Sequence, residues 1–113
     1  MTENAPQNTS EQIKFPNIFL EIQAMVKVDQ DIRGIDTHGD ERLDHEIAEK
    51  MGEIDLANTL RMKQIVEEIG WPSISRVGRE ASTSAWLIVQ HADHDVEFQK
   101  RCLALMRGEQ PGD

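Results

Sequence analysis

Along the 113 residues, side chains able to move protons, hold anions or ligate ions recur at helical spacing. Asp29 and Arg33 lie four apart, as do His91 and Asp95, while Asp55 and Asn58 lie three apart. An α-helix turns about 100° per residue, so such pairs share a face. On helical wheels Asp29 and Arg33 fall within the apolar arc centred near Ile22. Asp55 and Asn58 fall within that of Ile54, Met62, Ile65 and Ile69, and His91 lies between Leu87, Ile88 and Phe98. A charge turned toward a core is costly unless paired. These five side chains are therefore expected to meet one another, or a ligand, in one interior polar cluster. Histidine is the natural proton-transfer group near neutral pH, and an adjacent carboxylate would orient it. The chemistry expected is His91 as general acid/base, Asp55 or Asp29 orienting it, Arg33 holding an anionic substrate group and Asn58 helping to bind it.

Each feature has a plainer reading. Asp29 with Arg33 is also a half-exposed salt bridge, Asp55 and Asn58 also local bonding at the rim of a helix face, and His91 also a core histidine bonded to a neighbour. A metal shell is a further alternative. His91 and Asp95 could reach one ion with Asp29 or Asp55 completing it, and His94-Asp95 is similar to the pair in metal phosphohydrolases. However, Asp95 also suits a helix N-cap, and the Glu-x-x-His repeats of helical di-iron sites are missing. No metal and no cofactor is expected. Gln90, Asp93 and His94 turn away from His91, His38 and His45 lie in or near a loop, and Cys102 sits on an apolar face. Trp71 beside Pro72 is a packing anchor or a pocket wall. There is no Gly-x-Ser-x-Gly and no glycine-rich phosphate loop.

The elements that must position these groups are helices. Pro16 suits a first helical turn and Gly34 a stop, giving a helix from about Pro16 to Arg33. A second runs from about Asp40 to Gly70, with Leu43, Ile47, Met51, Ile54, Met62, Ile65, Val66 and Ile69 on one side and Gly52 as a candidate break. The stretch "GWPSISRVG" is a connector, since Pro72 pushes Trp71 extended. A third helix starts near Arg79. A last one reaches about Met106, either continuous with the third or capped afresh at Asp95. The expected architecture is an all-α, single-domain bundle of three to four main helices over residues 15–107, with flexible tails at 1–14 and 108–113.

Composition narrows the partners. The formal charge of −9 repels a phosphate backbone, and lysines and arginines are scattered singly, so nucleic-acid binding is disfavoured. The single cysteine fits a reducing compartment. No apolar run approaches the ~18 residues of a membrane span, and "MTENAPQNTSEQ" has neither the basic nor the apolar region of a secretion signal. A cytoplasmic protein without membrane contact is expected.

The stretches "DQDIR" (29–33), "DLANTLRMKQIVEEIGWP" (55–72), "VG" (77–78) and "AWLIVQHADHDVEFQKRCLALM" (85–106) resemble an uncharacterised bacterial family catalogued as a domain of unknown function. Its signature is Gly-Trp-Pro, then Val-Gly, then Ala-Trp-Leu-x-x-Gln-His-Ala-Asp. The resemblance covers most of residues 25–106 and brings no activity with it. It implies that Asp29, Gln30, Arg33, Asp55, Asn58, Trp71, Pro72, Gln90, His91 and Asp93 occupy motif positions, which adds Gln90 and Trp71 to the ligand-binding candidates. Family members commonly carry Pro where this chain has Val96, which favours a helix restart capped by Asp95. Many continue into a further segment with a Tyr-Gly-Thr-Gln-like motif. The leading expectation is a small-molecule pocket inside the bundle. An interaction or regulatory module, acting with a protein partner or as a homo-oligomer, is the alternative, and a metal-dependent hydrolase the third.

Overall fold

The computed structural model describes residues 13–108. These form five helices and no strand: α1 (Pro16–Arg33), α2 (Glu41–Ile69), α3 (Ile74–Val77), α4 (Arg79–Gln90) and α5 (Val96–Met106). Residues 1–12 and 109–113, where tails were expected, lie outside the described residues. Ile13, within the expected tail, is buried against Gly78.

The helix boundaries follow from local chemistry. Pro16 occupies the first turn of α1, where a missing N–H costs nothing. Asp40 caps α2 by accepting from the N–H groups of Arg42 and Leu43 at 3.0 and 3.1 Å. Gly70, at φ 78°, ends α2 in a conformation that disfavours any side chain. Gly78, at φ 88°, closes α3 and opens α4.

Two expectations about breaks resolve differently. The break considered at Gly52 does not occur: α2 runs through it for 29 residues. A single interior glycine costs about 1 kcal/mol relative to alanine, too little to interrupt a helix with strong formers on both sides. The second break does occur. α4 ends at Gln90 with His91 as its C-cap, and Asp95 accepts from the N–H of Phe98 at 3.1 Å to start α5. The four-residue α3, in what was expected to be a connector, is too short for hydrophobic periodicity to reveal.

The core sits where α1 packs against α4 and α2. Ile22, Met62, Ile65, Val77, Ala81, Ala85, Val89, Phe98 and Cys102 are buried there. Ala81 and Ala85, one turn apart on α4, allow close approach of the neighbouring helix. α2 has no buried residue before Thr59. Its first half, with Leu43, Ile47, Met51 and Ile54, therefore stays partly or fully exposed. The body is flat, measuring 54 × 44 × 18 Å.

Candidate functional site

Three elements bring polar groups together at one edge of this core. α1 supplies Asp29 and Arg33 from its last two turns, α2 supplies Asp55, and the α4 C-cap supplies His91. Asp29 is 1% exposed, and three donors explain how its charge is tolerated there. Its Oδ1 accepts from a terminal nitrogen of Arg33 and from His91 Nδ1 at 3.0 Å. Its Oδ2 accepts from Gln30 Nε2 at 2.7 Å. An ionised carboxylate only accepts, so the His91 proton in this contact lies on Nδ1.

Arg33 bridges the two carboxylates. Its second terminal nitrogen donates to Asp55 Oδ2 at 3.0 Å. Desolvation works against the guanidinium's charge, but the hydrogen bond to Asp55 and the charges of Asp29 and Asp55 outweigh it and hold its pKa above the ordinary arginine value. Asp55 Oδ1 is buried and has no hydrogen-bond donor among the described residues. His91 and Arg33 each remain 23% exposed and Asp55 17%, so the cluster is interior but reachable from solvent. Asp29, Asp55 and His91 can each present a ligand atom within 4.8 Å of the others.

The position of His91 depends on α5. Gln99 Nε2 donates to the carbonyls of Val89 and Gln90 at 3.1 and 3.2 Å, satisfying C-terminal acceptors of α4. That clamp holds the helix end from which His91 projects. On a continuous helix Gln99 would share the face of His91; the turn at Ala92–Asp95 gives it this second role instead. Gln30 and Gln99 carry no signal of these roles on a wheel: Gln30 bonds its chain neighbour, which a wheel places about 100° away, and the partners of Gln99 depend on tertiary packing.

The remaining sequence-level candidates lie elsewhere. Asp95 is not a co-ligand with His91: the helix break separates them, and Asp95 caps α5 and pairs with Lys63. Those contacts, the Lys63 hydrogen bond first and the Phe98 N–H second, lower its pKa. Asn58 is half-buried on α2, but among the described residues it joins no hydrogen bond of the Asp29 cluster. Thr59, not singled out from sequence, is buried and donates to the Asp55 carbonyl at 2.7 Å. Gln90, Asp93 and His94 are exposed, as the wheel implied. Trp71 is buried in the apolar core, and its carbonyl accepts from Arg76 at 3.1 Å. Burial pushes the Cys102 thiol up to about 12, which leaves it protonated and unreactive at neutral pH.

The model of a family of unknown function, DUF6624, matches residues 16–110. The chain belongs to that family. The match takes in α1 to α5 and every member of the Asp29 cluster. No curated protein and no solved structure matches the chain. None of the helices in the described residues of this DUF6624 member is long and apolar enough to cross a membrane.

Proposed function

We propose that the Asp29 cluster binds a small molecule and that His91 serves it as a general acid/base. The observation that carries this reading is the 3.0 Å contact from His91 Nδ1 to the buried Asp29 carboxylate. With Nδ1–H committed to Asp29, the other ring nitrogen, Nε2, holds the lone pair of the neutral imidazole. Asp29 fixes ring orientation and stabilises the imidazolium formed when Nε2 takes a proton. Asp29 and Gln30 act as positioning residues, and Arg33 bridges Asp29 and Asp55 and holds the two carboxylates side by side. Both terminal nitrogens of Arg33 are engaged by carboxylates. Counted with a neutral His91, the four ionisable groups sum to a charge of −1. That balance favours a neutral or cationic ligand over the anionic one expected from sequence.

The test is a small-molecule screen read by melting temperature, repeated on His91→Gln and His91→Ala. Ligands that stabilise the wild-type chain should lose their effect in both variants while helical content is kept. Undiminished stabilisation of the variants would remove His91 from the site.

A second reading has its own observation. The projecting half of α2 carries Leu43, Ile47, Met51 and Ile54 at spacings of four, four and three, none of them buried. This stripe supports a protein-interaction role. A concentration-dependent mass in solution, abolished by Ile47→Glu, would favour it.

A further inference from the structure

We propose that Asp29, Asp55 and His91 take up a divalent first-row transition ion, and that Arg33 is a displaceable cation standing between the two carboxylates. The inference rests on the same cluster as the small-molecule reading but needs no catalysis.

The donor set is a histidine nitrogen and two carboxylate oxygens, delivered by α1, α2 and the end of α4. Mixed nitrogen and oxygen donors suit zinc, cobalt, manganese or iron(II), while magnesium and calcium prefer oxygen alone. An ion about 2.1 Å from each ligand sets tetrahedral ligand atoms about 3.4 Å apart. The present separations, all within 4.8 Å, close to that by side-chain rotation. Three protein ligands leave coordination positions for water or a substrate.

Two independent features point to a missing cation. Asp55 Oδ1 is buried and accepts nothing from the described residues, although a carboxylate oxygen withdrawn from water needs a donor or an ion. The charges are also unbalanced: Asp29 and Asp55 bring −2 and Arg33 returns +1, whereas a divalent ion with neutral His91 would bring the ligand set to zero. Arg33 can move aside. It is the last residue of α1, its side chain is partly exposed, and exposed Gly34 and Ile35 follow it. Gln30 holds Asp29 Oδ2 at 2.7 Å, which aims Oδ1 into the cluster as an outer-shell partner does in metal sites.

The experiment uses the full chain, untagged and stripped with a chelator. Zn2+ binding is followed by calorimetry, and Co2+ binding by its visible absorption. One ion per chain is expected, with a rise in melting temperature. Loss of an outer-shell partner costs ~10–100-fold in affinity, so loss of a ligand in Asp55→Asn or His91→Ala should cost about 100-fold or more. Asp55→Asn is nearly isosteric, and circular dichroism checks that its helices persist. Arg33→Gln removes the competing cation and its repulsion of the ion, and should tighten binding rather than weaken it. His94→Ala, exposed and outside the cluster, should change nothing.

No Zn2+ binding by the wild-type chain overturns the proposal. So does binding that survives Asp55→Asn and His91→Ala, or that Arg33→Gln weakens as much as Asp55→Asn does. The two readings of the cluster separate cleanly. Small-molecule stabilisation of the chelated protein without Zn2+ binding removes only the ion. Zn2+ binding without any small-molecule effect removes only the acid/base site.

Discussion

At the residue scale, one buried carboxylate organises the cluster. Asp29 accepts from Arg33, His91 and Gln30, and removing it would leave the guanidinium with Asp55 alone and take from His91 its buried carboxylate partner. Breaking a buried ion pair from one side typically costs 3–5 kcal/mol; because Arg33 retains some access to water, Asp29→Ala should cost about 3 kcal/mol. The neighbouring Asp31 is the internal control. It pairs with Lys27 across exposed surface at 3.0 Å, and Asp31→Ala should cost less than ~0.5 kcal/mol. Urea denaturation of the two variants measures the contrast, and equal losses would mean that the buried pairing contributes nothing special.

At the element scale, the helix ends were legible because single residues with specific backbone chemistry mark them: Pro16, Gly34, Asp40, Gly70 and Gly78. The helix wheels also found Asp29, Arg33, Asp55 and His91, since a polar side chain within an apolar arc depends only on local phase. They failed where tertiary contact decides. Leu43, Ile47 and Met51 share the apolar side of Met62 and Ile65, yet none of them is fully buried among the described residues, because phase says which way a residue points and not what lies there. Asn58 has the right phase but no part in the hydrogen bonds of the cluster. Gln90 and Trp71, candidates through the resemblance and not through the wheels, are exposed and part of the core respectively. Gly52 was misleading because its glycine identity carries no structural requirement: a Cβ placed there meets nothing within 4 Å. Gly52→Ala should therefore stabilise the protein by about 0.5–1 kcal/mol, visible as a higher urea midpoint at unchanged slope. Gln99→Ala should do the reverse. It removes a side-chain donor from two carbonyls at the end of α4, at a cost of about 1 kcal/mol, and should speed amide hydrogen exchange around His91 before it affects α1.

At the scale of the whole molecule, the pH dependence of stability has two limbs with different owners. Arg61 of α2 donates to Glu21 of α1 at 2.9 Å and to Glu68 at 3.2 Å. The hydrogen bond to Arg61 holds the Glu21 pKa below its ordinary value. A carboxyl whose folded pKa is depressed contributes stability above its unfolded pKa and loses it as pH falls through the folded one. Glu21→Gln should thus flatten the acid limb below about pH 4.5, with a small effect because the pair is part-exposed. The alkaline limb has Cys102 as its main buried contributor. Burial raises its thiol from an ordinary value near 9 to about 12. Between those values the folded chain keeps a proton that the unfolded chain has released. Stability from this group is complete below about pH 9 and is lost as pH rises toward 12. Cys102→Ala removes that slope and leaves a small cavity, so it should be less stable than wild type near pH 7 by about 1 kcal/mol yet lose less stability between pH 8 and 11. Thiol reagents give the same answer kinetically. Cys102, on α5, is buried in the core, so its modification at pH 8 should proceed only as fast as the protein opens, and denaturant should accelerate it in step with unfolding. A fast reaction with the native chain would show that α5 detaches on its own, and the Gln99 clamp on the His91 helix end would then be intermittent as well.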